Sequence, residues 1–174
     1  MKRASDGFDY SYNAQTAVDE AARIIVAAEV VKSSSDGQQL PMVLHAVKVN
    51  TGASPAQVLA DAGYRSEAVM AELAITQPDT ERAIALGREG KVLATPRNAQ
   101  RYPYTVAMAA KFETEQGKID YRKRKWIAEP PNGWIKSVLG FRQFSMWGLK
   151  KAQAEFKLVC LALKLRRMGA MQAG

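Results

Sequence analysis

Short β-branched apolar runs alternate with helix-forming segments through the first half of the chain, and this alternation is the strongest constraint on its fold. Two such runs, residues 12–18 and 24–32, flank the acidic pair Asp19–Glu20 and predict two adjacent antiparallel strands. A turn is predicted at residues 33–37, and a helix over residues 39–49 follows it. The chain therefore opens with a strand pair and then a helix.

The same alternation continues downstream. Residues 58–60 predict a short buried strand, Ser66 can cap a helix that runs to about residue 75, and residues 82–86 predict another strand. The order strand, strand, helix, strand, helix, strand predicts an α/β fold in which helices flank a mixed sheet. The length of 174 residues suits one domain over residues 1–174.

The second half of the chain is less regular. Residues 87–117 contain prolines and glycines without periodicity and predict an irregular insertion, apart from a short helix at residues 106–112. Over residues 149–163, apolar side chains recur at alternating three- and four-residue spacings and predict one amphipathic helix. This helix is expected to pack on the core and to turn a basic face to solvent.

Composition excludes several classes of protein. The single cysteine, Cys160, excludes a disulfide framework, and the single histidine, His45, excludes a His-paired metal site. No apolar run approaches the ~20 residues of a membrane span, and the N-terminal segment lacks the apolar stretch of a signal peptide. The sequence therefore predicts a soluble, cytoplasmic protein that has no membrane-spanning segment, and its chemistry rests on carboxylates, amines, hydroxyls or backbone.

Charge is distributed unevenly along the chain. Residues 1–110 carry 11 basic and 12 acidic side chains, whereas residues 111–174 carry 14 basic and 5 acidic ones. Such an asymmetry indicates a nucleic-acid or membrane-surface partner that acts through the C-terminal third. The alternative is a solvated basic face without a specific partner.

Asp61 is the first candidate site residue. It lies at the C-terminal end of a predicted buried strand, where open α/β sheets tend to bind their ligands. A carboxylate at that position suits a hard cation such as Mg²⁺, which prefers oxygen ligands and keeps several waters. The alternative is an aspartate that only forms a turn or starts a helix.

Glu129 is the second candidate, and it follows a run of four basic residues at positions 122–125. Such a run predicts electrostatic binding of the DNA backbone, which positions DNA without reading its sequence. Tyr121 and Trp126 supply rings on which exposed bases can stack. Because Glu129 precedes a proline, it is expected just before a helix that begins near Pro131. The alternative is a solvated basic helix with aromatic side chains in the core.

Three segments together resemble the DDE transposases of bacterial insertion sequences: residues 12–19 (Tyr-Asn-Ala-Gln-Thr-Ala-Val-Asp), 58–64 (Val-Leu-Ala-Asp-Ala-Gly-Tyr) and 121–136. Residues 140–144, 147–149 and 158–162 are similar to the same family, so the resemblance covers nearly the whole chain. It implies an RNase H-like fold in which two aspartates and one glutamate bind two divalent cations, Mg²⁺ or Mn²⁺. It also implies DNA transposition, in which DNA is cut at the element's ends and joined to target DNA. The expected location is the cytoplasm of a bacterium, in association with the nucleoid. The resemblance is also compatible with a homo-oligomer that forms on DNA.

By that resemblance, Asp61 is the second catalytic, metal-binding acid and Glu129 is the third. Together with Glu129, three further residues belong to the family's Tyr–Arg–Glu–Lys signature: Tyr121, Arg124 and Lys136. The residues expected to hold the DNA backbone are Tyr121, Arg122, Lys123, Arg124, Lys125 and Lys136. The signature usually has three residues between arginine and glutamate. Four residues separate Arg124 from Glu129 here, and Lys125 has the usual spacing.

The family's first catalytic aspartate has no convincing match. It is expected on the strand before the segment 12–19, whereas Asp6 and Asp9 only approach that segment and Asp19 follows it. The resemblance therefore predicts the C-terminal portion of a transposase, without its first strand and its DNA-end-binding domain, which does not cut or join DNA by itself. The alternatives are a non-catalytic DNA-binding remnant and a metal-dependent nuclease of the same fold.

Overall fold

A computed structural model describes residues 2–3, 7–8, 11–87 and 99–172. The strands are β1 (Lys2–Arg3), β2 (Gly7–Phe8), β3 (Asn13–Val18), β4 (Ile25–Val31), β5 (Gln57–Ala60) and β6 (Glu81–Ile84). The helices are α1 (Leu40–Thr51), α2 (Glu67–Thr76), α3 (Pro103–Glu113), α4 (Glu115–Ser137) and α5 (Leu149–Gln172), and a 3₁₀ turn spans Ala62–Tyr64. The α/β class is thereby confirmed. Within these ranges, none of the helices has the length and apolar character that crossing a membrane requires.

The described strands pair two by two. β3 and β4 form the expected antiparallel pair, with Asn13 opposite Val31. β1 and β2 form a second antiparallel pair, and β5 and β6 form a parallel one with Ala60 opposite Ile84. The predicted strands are thus confirmed, while a single RNase H-like sheet that lacks its first strand stays a prediction.

The chain divides into two compact units. Unit 1 comprises Met1–Ser34 and Ile127–Gly174, and unit 2 comprises Ser35–Trp126. Each unit has its own apolar core, as expected when a strand pair must cover one face with helices.

The core of unit 1 lies between the β3–β4 hairpin and α5. It is built from Ile25, Ala28, Val30, Ile135, Ala152, Phe156 and Cys160. The last three are four residues apart on one face of α5, which confirms the amphipathic helix expected from the sequence. Gln153 of α5 also bonds the backbone of β4: its Nε2 donates to Ala28 O at 2.8 Å, and its Oε1 accepts from Val30 N.

The core of unit 2 lies between the β5–β6 pair and helices α1, α2 and α3. Its members are Leu40, Leu44, Ala60, Val69, Met70, Leu73, Ile84, Leu86 and Met108. The expected cap of α2 is present, because Ser66 Oγ accepts from Val69 N at 3.4 Å. Helix α1 ends before Gly52, as the sequence predicts.

Helices occupy much of the segment expected to be an irregular insertion. The helix predicted at residues 106–112 extends over Pro103–Glu113, and α4 already begins at Glu115; residues 88–98 lie outside the described part of the chain. Glu67 of α2 satisfies the first turn of α3, since its carboxylate accepts from Tyr104 N at 2.6 Å and from Thr105 Oγ1 at 2.7 Å. No local sequence pattern announces this cap, because Glu67 lies far upstream.

The prediction that a helix begins near Pro131, with Glu129 just before it, was wrong. Helix α4 is continuous over 23 residues and contains both Pro130 and Pro131. The prolines lack the N–H groups that would bond the carbonyls of Trp126 and Ile127.

Tertiary contacts explain why α4 continues through its prolines. Pro131 and Ile135 are buried in unit 1. Asn132 Nδ2 donates to Ala128 O at 3.0 Å, and Thr16 Oγ1 of β3 donates to Asn132 Oδ1 at 3.4 Å. Burial and these bonds outweigh the local bias against helical backbone before a proline.

Candidate active site

Asp61 lies directly after β5, where the sequence analysis placed it. Its Oδ1 accepts from Gly63 N at 2.8 Å, so the side chain caps the 3₁₀ turn, and the residue is exposed. The turn-forming role left open as an alternative is therefore present. Because β5 and β6 are parallel, their carboxyl ends meet at one edge, which is where α/β proteins commonly bind ligands.

An open cleft of about 370 Å³ lies at this edge of unit 2. We call it the Asp61 cleft; it is lined by Asp36, Asp61, Ala62, Gly63, Gly87, Tyr121 and Arg124. Asp61 follows β5, Gly87 follows β6, and Tyr121 and Arg124 come from α4. The fold thus brings together three of the site residues named from the sequence, although Asp61 lies far from the other two along the chain.

Asp36 is an acid of the cleft that the sequence analysis missed. A Cβ atom added at Gly63 would lie 2.8 Å from Asp36 Oδ2 and 3.0 Å from Asp61 Oδ1, so these two oxygens are less than twice 3.0 Å apart. A Cβ added at Gly37 would lie 3.7 Å from Gly63 O, which shows that the turn before α1 packs on the turn after β5. The local sequence at Asp36 signals only a turn.

The pKa of the Tyr64 phenol is affected by both carboxylates, Asp36 and Asp61. Burial raises the pKa of its phenol well above the ordinary value, and the negative charges of Asp36 and Asp61 raise the pKa further. The hydroxyl therefore stays protonated around neutral pH, and Tyr64 acts there as a hydrogen-bonding group and not as a base.

Tyr121 and Arg124 form a pair on one face of α4. The Arg124 guanidinium lies 5.5 Å from the centroid of the Tyr121 ring, which in turn packs edge-on against Phe112 at 5.3 Å between centroids. Arg124 Nε is buried and has no hydrogen-bond partner among the described residues. Leaving such a donor unsatisfied costs about 1–3 kcal/mol, so an acceptor such as a phosphate oxygen would stabilise it.

Asp120 fixes this part of α4, and the sequence analysis missed it too. It is 5% exposed, and its carboxylate accepts from Gln116 Nε2 at 2.9 Å and from Gln57 Nε2 at 3.3 Å. Since Gln57 begins β5, Asp120 ties the helix that carries Tyr121 to the strand that precedes Asp61.

The other predicted DNA-binding residues of α4 differ in their surroundings. Arg122 is exposed, whereas Lys123 Nζ lies 3.8 Å from Asp120 Oδ1. The side chain of Lys125 lies outside the described part. Glu129 and Lys136 are both exposed, belong to unit 1 and are two helical turns apart in α4. The convergence of Glu129 with Asp61 stays a prediction.

Of the three candidates for the first acid, Asp19 lies in the described part of the chain. Asp6 and Asp9 lie outside the described residues. Asp19 belongs to the β3–β4 turn, where its Oδ2 accepts from Ala22 N at 2.7 Å and its amide donates to Ile24 O at 2.9 Å. Asp19 is therefore a turn acid between the two strands that were expected to flank the acidic pair Asp19–Glu20.

The donor atoms of the Asp61 cleft suit a divalent metal ion. Carboxylate oxygens are the ligands that Mg²⁺ prefers, and a cation held by only one or two carboxylates keeps several waters. Among the residues that the structure describes, no group of three or more His, Cys, Asp or Glu side chains could hold a metal ion. Among the described residues that line the cleft, Asp36 and Asp61 carry the carboxylates that can bind a metal ion.

Fold and cleft together define an α/β protein with carboxylates and an arginine at the carboxyl ends of parallel strands. A comparison with protein-family models matches the family described as the transposase DDE domain over residues 2–165. This match covers nearly the whole chain, so the chain belongs to the transposase DDE domain family, and the resemblance seen in the sequence is confirmed. No curated protein and no solved structure gives a significant match.

Membership in this family has four consequences. It supports a role in transposition and implies enzymatic action on DNA as the family's activity. It also implies DNA as the partner, and the family generally uses divalent metal ions.

Proposed function

We propose that this chain belongs to the catalytic domain of a transposase, the domain whose reaction is to cut DNA at the element's ends and to join it to target DNA. In this proposal the fold is RNase H-like without its first strand, and Asp61 and Glu129 hold the metal ions. One observation carries the proposal: Asp61, Tyr121 and Arg124 line the same cleft at the carboxyl edge of parallel strands.

The side chains of the cleft have distinct roles in this reaction. Gly63 N holds Asp61 Oδ1 in place, which orients the carboxylate toward a ligand. Arg124, stacked on Tyr121, donates to the scissile phosphate through its unpartnered Nε. A bound pair of Mg²⁺ or Mn²⁺ ions supplies activation of the attacking oxygen and stabilisation of the leaving oxygen.

The remaining basic residues bind the DNA backbone. Arg122 is exposed, so it is available for phosphate binding, together with Lys125 and Lys136. Trp126 is 71% exposed, which leaves its ring available for stacking on an unpaired base.

A non-catalytic DNA-binding remnant is the second candidate. The observation that favours it is the engagement of Asp19 in a hairpin turn, together with only two carboxylates in the described cleft. Two ions repel each other strongly, and a site with too few carboxylates holds the second ion poorly.

The test is an assay of the purified chain on DNA that carries the element's ends, with Mg²⁺ or Mn²⁺. Metal-dependent strand cleavage that Asp61→Asn abolishes and Asp79→Asn preserves would support the catalytic function; Asp79 is exposed and lies outside the cleft. DNA binding without cleavage in either metal would favour the remnant. Cleavage that survives in Asp61→Asn would refute the role of Asp61.

A further inference from the structure

We propose that Asp36 is a second carboxylate of the cation site at Asp61 and holds the same ion. The inference rests on the proposed function, because it assigns a ligand to that site. It names an acid that lies after the β3–β4 hairpin, in a turn that sequence reasoning treated as structural.

The first argument is the distance between the two carboxylates. Asp36 Oδ2 and Asp61 Oδ1 both lie within 3.0 Å of the Cβ position that Gly63 leaves empty. The two oxygens are therefore less than twice 3.0 Å apart. Negative charges this close repel each other, and a divalent cation bound between them would attract both. Carboxylate oxygens are the ligands that Mg²⁺ prefers, and waters complete the shell of an ion that is held by one or two carboxylates.

The second argument is independent of the acids and comes from Arg124. Its Nε is buried beside the same cleft without a partner among the described residues, which indicates an anionic acceptor that binds there. A phosphate group meets both requirements, since one oxygen can bind the cation between Asp36 and Asp61 while another accepts from Arg124. The cleft therefore has the chemistry for a divalent cation together with a phosphate group of DNA.

Gly63 provides a geometric test of this arrangement. A methyl group at this position would approach Asp36 Oδ2 to 2.8 Å and Asp61 Oδ1 to 3.0 Å, so at least one carboxylate would have to move. Gly63→Ala thus changes the relation between the carboxylates without removing a charge. Asp36→Asn removes a charge while keeping the shape of the side chain.

The experiment is calorimetric titration of the full chain with MnCl₂. We expect Asp36→Asn and Asp61→Asn each to weaken Mn²⁺ binding roughly tenfold or more, and Gly63→Ala to weaken it as well. Asp79→Asn, the exposed control outside the cleft, should bind as the unaltered chain does. Circular dichroism and the thermal midpoint identify folded variants, and Asp36→Asn carries the test if Gly63→Ala does not fold.

The outcomes separate this inference from the proposed function. Weaker Mn²⁺ binding in Asp61→Asn with unchanged binding in Asp36→Asn overturns the inference and leaves the role of Asp61 intact. Unchanged binding in both variants overturns the cation site altogether. Weaker Mn²⁺ binding in both variants, combined with strand cleavage that Asp61→Asn does not affect, supports the cation site and refutes the proposed function.

Discussion

Units 1 and 2 are both built from strand pairs and helices, but they differ in the direction of the strands and in what lies at the strand ends. In unit 1 an antiparallel hairpin is covered by α5, a helix with a single acid, Glu155, and six basic residues: Lys150, Lys151, Lys157, Lys164, Arg166 and Arg167. In unit 2 a parallel pair ends at a cleft that brings two carboxylates and an arginine together. The comparison teaches that basic helices are not confined to the unit that carries the candidate chemical site, so net charge alone does not locate the site.

Strand direction explains much of this difference. Antiparallel neighbours can be joined by a tight turn. In the β3–β4 turn, Asp19 Oδ2 accepts a hydrogen bond from Ala22 N, so this carboxylate stabilises the turn. Parallel neighbours need a crossover connection, and the loops that follow both strands meet at one edge. Asp61 and Gly87 lie at that edge of unit 2, where a ligand can reach them.

The largest effect is expected from removing the basic run of α4. Replacing Arg122, Lys123, Arg124 and Lys125 by alanine should flatten the dependence of log K for duplex DNA on log salt by up to about 3.6 units, since each phosphate contact contributes about 0.9. Fluorescence anisotropy at several salt concentrations measures the slope.

A matched set on α5 sharpens this comparison of the two units. Replacing Lys150, Lys151, Lys164 and Arg167 by alanine removes the same number of charges from unit 1. We expect a smaller change of slope than for the α4 set. A larger change of slope for the α5 set than for the α4 set would show that the main DNA-binding surface lies in unit 1.

The next effect concerns the two cores. Phe156 is 4% exposed in unit 1 and Leu73 is fully buried in unit 2. Truncation to alanine should lower the free energy of unfolding by about 3–5 kcal/mol for Phe156 and about 2–5 kcal/mol for Leu73.

Hydrogen exchange with mass spectrometry tests whether each loss is local. Protection should fall first in β4 and α5 for Phe156→Ala, and in α1 and α2 for Leu73→Ala. Equal loss of protection across both units in both variants would contradict the division of the chain into two cores.

A smaller effect is expected at the cap of α3 in unit 2. Glu67→Ala removes the acceptor for Tyr104 N and for Thr105 N and Oγ1, and should cost about 1–3 kcal/mol of stability. Urea unfolding measures the loss, and Glu72→Ala, an exposed acid on the same helix, is the control. Equal costs for the two variants would show that Glu67 does not act as a cap.

The smallest effect concerns Glu155, the one acid of α5. Hydrogen bonds from the Ser145 side chain and backbone lower the pKa of Glu155, so its contribution to stability is present above the unfolded-state pKa and is lost as pH falls through the folded-state pKa. Ser145→Ala should raise the pKa of Glu155 toward its ordinary value. A carboxyl-carbon NMR titration that finds the same pKa in both proteins would contradict this assignment.

Local patterns were sufficient for most elements of the fold. The β-branched runs predicted β3 and β4, Ser66 announced α2, and the apolar stripe of α5 appeared at helical spacing. Each of these signals depends on neighbours in sequence, which is why it could be read without a structure.

The features that the sequence did not reveal depend on contacts between distant segments. Asp36 looks like a turn residue until the turn after β5 packs on it, and Asp120 looks like one charge in a basic helix until it accepts from Gln57. The helix through Pro130 and Pro131 persists because of burial, against the local preference of the backbone. In the candidate site, sequence could name Asp61, Tyr121 and Arg124 but not their shared cleft.

The most direct test of the central claim is a crystal structure of the chain with Mn²⁺, with the ions located by anomalous scattering. The account predicts manganese coordinated by Asp61, with the Glu129 carboxylate sharing a pair of ions that lie about 3.5–4 Å apart. Manganese bound away from Asp61, or Asp61 and Glu129 carboxylates more than roughly 12 Å apart, would contradict it, because two ions and their ligands do not bridge such a gap.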